Sequence, residues 1–242
     1  MEVNKEVKAA EPMDKLRKSL PSIITFLSMA CGMTSIALSI EGHIGIAATL
    51  ILASYLLDLV DGALARRLDV CSDFGVQLDS LADITNFGAA GVILVWSHLR
   101  LGGYQSWILW PVGVLFLLAG AYRLARFNLS ASDIKPNESM GLTISTSGGY
   151  VALAVLADLA FERGLLPDTI FLVLLPLLAF LMVSRIRFPE FKAILAKRRM
   201  SLALLSASAI VAIWFTPQVV WWGLTTGYIS FGILRAGLRS LP

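Results

Sequence analysis

Four aspartates stand in or beside apolar segments of this chain: Asp58 and Asp61, then Asp79 and Asp83. The first two are three residues apart and the second two are four apart, so on helices each pair shares a face. A carboxylate in an apolar helix is costly unless it meets a wet cavity, a partner or a metal. If all four converge, each ionised pair repels by about 3 kcal/mol at ~5 Å and an effective dielectric of ~20. Arg66 offsets only part of that repulsion. Divalent cations resolve it, and all-oxygen ligands suit hard ions such as Mg²⁺ or Mn²⁺. Two such ions close together would clamp a phosphoryl centre. Asp58, Asp61, Asp79 and Asp83 are therefore the candidate metal ligands.

The residues between them fit the same chemistry. Gly62, Ala65 and Gly75 are small, which lets a ligand approach the backbone; close helix packing is the alternative for each. Arg66 offers a bidentate fork suited to phosphate. Its alternative is a topology anchor, a role that Arg67 can also fill.

The elements that must hold these residues are membrane helices. Of 242 residues, 57% are hydrophobic and 15% charged, with a mean hydropathy of +0.75. A soluble domain carries about 25% charged residues. Long apolar runs alternate with short charged clusters, and backbone inside a bilayer must satisfy itself as helix. Eight spans are expected, at 21–40, 44–66, 76–97, 105–127, 143–160, 167–184, 201–215 and 218–234. The seventh is the shortest, ending at Thr216-Pro217. The first acid pair lies near the end of span two and the second near the start of span three. The short loop between them makes an antiparallel hairpin, so all four acids sit at one depth.

Charge sets the orientation. With the N-terminus in the cytoplasm, 18 of the 20 Lys and Arg lie inside, and only Arg100 and Arg163 lie outside. Both termini and the acid cluster are then cytoplasmic, in the cell's inner membrane. The polar segment 1–20 is either a surface helix, with Met13, Leu16 and Leu20 at helical spacing, or a solvated tail. Cys31 and Cys71 form no disulfide framework or ligand spacing. His43 and His98 are read as lone residues on the outer side. No nucleic-acid partner is expected.

The array Asp-x2-Asp-Gly-x2-Ala-Arg-x8-Gly-x3-Asp-x3-Asp, carried by Asp58, Asp61, Gly62, Ala65, Arg66, Gly75, Asp79 and Asp83, resembles the signature of the CDP-alcohol phosphotransferases. The resemblance implies an all-α, polytopic helix bundle: a six-span core at 21–199, after the segment 1–20, with an added C-terminal hairpin at 200–242. It also implies that Asp58, Gly62, Ala65, Arg66 and Gly75 bind the nucleotide end of a CDP-lipid, that Asp83 is the base, and that Arg66 assists the departing CMP. Family members are often homodimers.

A narrower resemblance is to the integral-membrane phosphatidylserine synthases. It rests on Phe74-Gly75-Val-Gln-Leu-Asp79-Ser80-Leu-Ala-Asp83, Arg123-Leu-Ala-Arg126-Phe127-Asn128 and Leu181-Met-Val-Ser184-Arg185-Ile-Arg187-Phe-Pro189. The implied reaction joins CDP-diacylglycerol and L-serine to give phosphatidylserine and CMP. Arg123, Arg126 and Arg185 are candidates for the acceptor's carboxylate or a phosphate, with topology anchoring as the alternative. The chain departs from that group at Ile84-Thr85-Asn86-Phe87-Gly88 and at Gly141-Leu142-Thr143-Ile144-Ser145, where the usual prolines are absent. These departures bear on the acceptor, which glycerol phosphate, an inositol compound, choline or another amino alcohol would also satisfy. A cation-coupled transporter is the reading from another class. Transporters place such acids near the midplane on broken helices, whereas these lie at the cytoplasmic ends of two spans.

Overall fold

The computed structural model describes residues 3–104, 107–129, 138–161, 164–189 and 216–240. The first element, α1 (Val3–Ile40), is one continuous helix of 38 residues. The polar segment therefore runs without a break into the first apolar stretch, which covers Arg17–Ile40. A tight turn follows, with Gly42 at φ +87° and the His43 N–H donating to the Leu38 carbonyl at 2.8 Å. It leads into α2 (Ile44–Leu68).

Next come α3 (Asp73–Asp83), a π-helical turn (Ile84–Ala89) and α4 (Ala90–Leu101), stacked as one rod. After it stand α5 (Leu109–Leu129), α6 (Ile144–Leu159), α7 (Thr169–Val183) and α8 (Pro217–Ser240). The expectation of an all-α chain meets one small addition. Strands β1 (Glu138–Met140) and β2 (Arg187–Pro189) pair antiparallel, Ser139 opposite Phe188.

Among the described residues, four stretches have the length and apolarity to cross a bilayer: Arg17–Ile40, Ile44–Leu68, Asp73–Leu101 and Leu109–Leu129. They match the first four expected spans. Helices α6 and α7 are apolar but have 16 and 15 residues, short of the ~20 that a full crossing takes. The expected seventh span lies outside the described residues. Helix α8 has the length, at 24 residues, but carries Gln218, Thr225, Thr226 and Ser230 and is less apolar. Large apolar side chains such as Phe26, Leu118, Val173 and Phe180 face outward, as an integral membrane protein requires.

The core is where the rod meets α6. Phe87, Phe116, Ile51, Leu94 and Ile144 are fully buried there. Gly148 on α6 lies against Phe87: a Cβ at that position would come within 2.6 Å of the Phe87 Cβ, so only glycine lets the two elements touch. The far end of the bundle corrects one expectation. His98 does not stand alone; its Nε2 lies 2.9 Å from Asp158 Oδ2. The other oxygen of Asp158 accepts the Leu165 and Leu166 N–H groups, both at 2.7 Å. The two residues are 60 apart in sequence, so no local pattern announces the pair. His98 sits 15 residues up the rod from Asp83, about 22 Å at 1.5 Å per residue.

Candidate active site and metal centre

The site is built by the turn between α2 and α3. Helix α2 ends because Asp69 adopts the left-handed conformation, φ 54°. The Asp69 N–H then donates to the Arg66 carbonyl at 3.3 Å, and the Val70 N–H to the Ala65 carbonyl at 3.0 Å, satisfying carbonyls the helix leaves open. Ser72 starts α3 as its N-cap, its Oγ accepting the Gly75 N–H at 3.1 Å. Only residues 69–72 separate the helices, so the last turns of α2 face the first turns of α3.

That reversal brings carboxylate oxygens of Asp58, Asp61 and Asp79 within 4.8 Å of one another. Asp58 and Asp61 are buried. Asp83 lies one turn beyond Asp79, outside this group of three. It is also buried and lines a cavity together with Asp58 and Asp79. At 4.8 Å the mutual repulsion is again about 3 kcal/mol per ionised pair. Hard oxygen donors at this spacing, drawn from two helices, fit a divalent cation.

Two polar cavities flank the cluster. The first, ≈ 180 Å³, is walled by Asp61, Gly62, Ala65, Arg66, Gly75 and Asp79, with Lys18 and Thr25 from α1. The small residues do what their size allows. A Cβ on Gly62 would sit 3.5 Å from Arg66 Nη1, and one on Gly75 would sit 3.3 Å from Ser72 Oγ. The Arg66 guanidinium thus folds back over Gly62, one turn earlier on its own helix. The second cavity, ≈ 270 Å³, holds Asp58, Asp79, Asp83, Arg123, Asn128 and Tyr228, with the hydroxyl residues Thr143, Ser145 and Thr146. Arg66 and Asp79 border both cavities.

An apolar groove of ≈ 430 Å³ meets the second cavity at Tyr55 and Thr146. Leu52, Leu56, Leu59, Leu153 and Trp221 line it. Helix α8 supplies one wall, held to α6 by the stacked rings of Tyr150 and Trp222 and by the 3.0 Å contact between Tyr150 and Thr226 hydroxyls.

The three arginines suggested for the acceptor part company here. Arg123 is buried and lines the second cavity, its guanidinium 5.7 Å from the Phe127 ring centre. Arg126 is turned away: it donates to the carbonyls of Val183, Met140, Met182 and Ser184 at 2.8–3.3 Å. It ties the end of α7 to β1. Arg185 is exposed and borders neither cavity.

The sequence reading missed Thr25 and Tyr228. Thr25 Oγ1 donates to Asp61 Oδ2 at 2.7 Å across 36 residues, and nothing near Thr25 in the sequence signals it. Tyr228 reaches the cavity from a helix that carries no motif residue. Its ring packs against Phe188 of β2, 6.3 Å between centres.

Comparison with known proteins adds the family context. Residues 18–180 match the CDP-alcohol phosphatidyltransferase family. A CDP-diacylglycerol–serine O-phosphatidyltransferase of Helicobacter pylori is 35% identical over 221 residues, 89% of this chain and 90% of the relative. One of the same name from Bacillus subtilis is 32% identical over 72% of this chain and 91% of its own length. An archaetidylserine synthase of Methanothermobacter thermautotrophicus is 39% identical over 46% of this chain and 47% of its own.

Proposed function

The chain belongs to the CDP-alcohol phosphatidyltransferase family, and on that premise we propose that its three joined cavities each take one part of a single reaction. The protein transfers the phosphatidyl group of CDP-diacylglycerol to the hydroxyl of L-serine, giving phosphatidylserine and CMP. The observation that carries this reading is the cluster of Asp58, Asp61 and Asp79, within 4.8 Å of one another, standing as the wall between two polar cavities.

The cytidine end of the donor lies in the cavity of Gly62, Ala65 and Gly75, where missing side chains leave room against backbone. Its diacyl tail follows the apolar groove past Tyr55. The pyrophosphate then crosses the carboxylate wall beside Arg66, which borders both cavities. Serine enters the second cavity, its carboxylate on Arg123 and its polar groups among Asn128, Thr143 and Ser145. Asp58, Asp61 and Asp79 hold the divalent cations, Mg²⁺ or Mn²⁺ and two in number, with Asp83 completing the site. When bound, the cations supply charge neutralisation at the pyrophosphate.

Asp83 accepts the proton of the serine hydroxyl as that oxygen bonds to the lipid-side phosphorus. The bond from that phosphorus to the bridging oxygen breaks, and CMP departs with the electron pair. Positioning and fixed charge provide most of the acceleration. Arg66 donates to the departing phosphate. Lys18, Arg66 and Arg67 flank this end of the bundle, which supports a cytoplasmic active site and, with the remaining basic residues, cytoplasmic termini on an eight-span chain.

The test offers purified protein CDP-diacylglycerol with serine, glycerol phosphate, inositol or choline, and measures CMP. Serine is expected to release CMP, EDTA to stop the release, and Mg²⁺ or Mn²⁺ to restore it. CMP formed with another acceptor and not with serine overturns the acceptor assignment. Turnover unaffected by EDTA overturns the metal assignment.

A further inference from the structure

Helix α1 carries none of the acidic motif, yet one of its side chains touches the cluster. Thr25 is buried, lines the same cavity as Asp61, and donates from Oγ1 to Asp61 Oδ2 at 2.7 Å. The same oxygen lies 3.1 Å from the Pro21 carbonyl one turn earlier. A hydroxyl has one proton, so these two acceptors compete for it. The carbonyl contact is what any threonine on a helix can make. The carboxylate contact is shorter, in the range of charge-assisted O–H···O⁻ bonds, and the ionised acceptor takes the proton.

We propose that Thr25 is a positioning residue for the cation site: its hydroxyl donates to Oδ2 of Asp61 and fixes the rotation of that carboxylate beside Asp58 and Asp79. This inference rests on the reading of the carboxylates as cation ligands. Its physical content is orientation. A carboxylate free to rotate presents either oxygen, or both, and loses the geometry shared by three ligands from two helices. A hydrogen bond from a third helix removes that freedom, and partners of this kind typically change metal affinity 10–100-fold when lost. Helix α1 reaches the rod too: Ser28 donates to the Ser54 carbonyl at 3.0 Å and accepts from Asn86 Nδ2 at 2.9 Å. Thr25 is therefore held in register with both motif-bearing helices.

Mn²⁺ binding to the full chain in detergent, followed by the free-ion electron paramagnetic resonance signal, tests this without turnover. Thr25→Val keeps the shape and removes the donor; Thr25→Ala also removes the donor, with less bulk, and serves if the valine variant misfolds. Both are expected to weaken Mn²⁺ binding by roughly 10–100-fold. Thr25→Ser, which keeps the hydroxyl, is expected to bind like the unaltered chain. Unaltered affinity in folded Thr25→Val or Thr25→Ala overturns the inference and leaves the cation site standing. Weakened binding in Thr25→Ser equal to that in Thr25→Val also overturns it, because packing and not the hydroxyl is then responsible. An unaltered chain that binds no Mn²⁺ overturns the cation site itself, and this inference with it.

Discussion

Asn86 Nδ2 donates to Ser28 Oγ at 2.9 Å, joining the π-helical turn to a helix 58 residues away in sequence. The turn begins immediately after Asp83, and Asn86 is buried against Gly32 of α1. Wide turns of this kind are uncommon and tend to occur at functional sites. Here the extra residue per turn resets the rod, so that the faces of α3 and α4 need not follow one helical phase.

Asn86→Ala is therefore expected to cost about 1 kcal/mol for the lost bond, with a further loss for the space left behind. Turnover is expected to fall with it, since Asp83 is three residues upstream. Thermal unfolding in detergent and CMP release check the two effects. A Ser28→Ala and Asn86→Ala cycle should show coupling of roughly 0.5–3 kcal/mol; full additivity would separate the pair.

Asp83 stands apart from the three clustered carboxylates, and its variants should differ in kind. Asp83→Asn is expected to reduce kcat by about 10²–10⁴-fold while Mn²⁺ binding persists. Asp58→Asn, Asp61→Asn and Asp79→Asn are expected to lose Mn²⁺ affinity first. Equal metal loss in all four variants would place Asp83 among the principal ligands and remove the distinction.

Arg123 and Arg126 lie three residues apart on α5 and should fail differently. Arg123→Met removes a charged donor from the second cavity, so the KM for serine is expected to rise by roughly tenfold or more with little change in thermal midpoint. Arg126→Met strands four backbone carbonyls and is expected to cost about 3 kcal/mol or more, seen as a lowered midpoint with the serine KM unchanged. A serine-specific KM defect in Arg126→Met would restore it as an acceptor residue.

The acid hairpin was legible because its information is local. Helical spacing puts Asp58 with Asp61, a short loop puts both against Asp79, and size alone marks Gly62, Ala65 and Gly75. The four longest apolar spans were legible for the same reason. What the sequence left open depends on contacts between distant elements. Arg123 and Arg126 look alike until α7 presents its terminal carbonyls to one of them. Asp158 finds His98 only once α6 is packed beside α4. The β1–β2 pairing joins segments almost fifty residues apart, and neither carries a strand pattern longer than three residues. The π-helical turn has no local signature, because its geometry answers to Gly148 and Ser28 on neighbouring helices.

The position of Tyr228 has a bearing on how such a protein diversifies. It comes from α8, beyond residues 18–180 that match the family, yet it borders the same cavity as Asp58, Asp79 and Asp83. A stretch of chain outside the family match thus supplies part of the wall around the carboxylates. Substitutions at Tyr228 can therefore reshape that cavity without altering any of the eight motif residues.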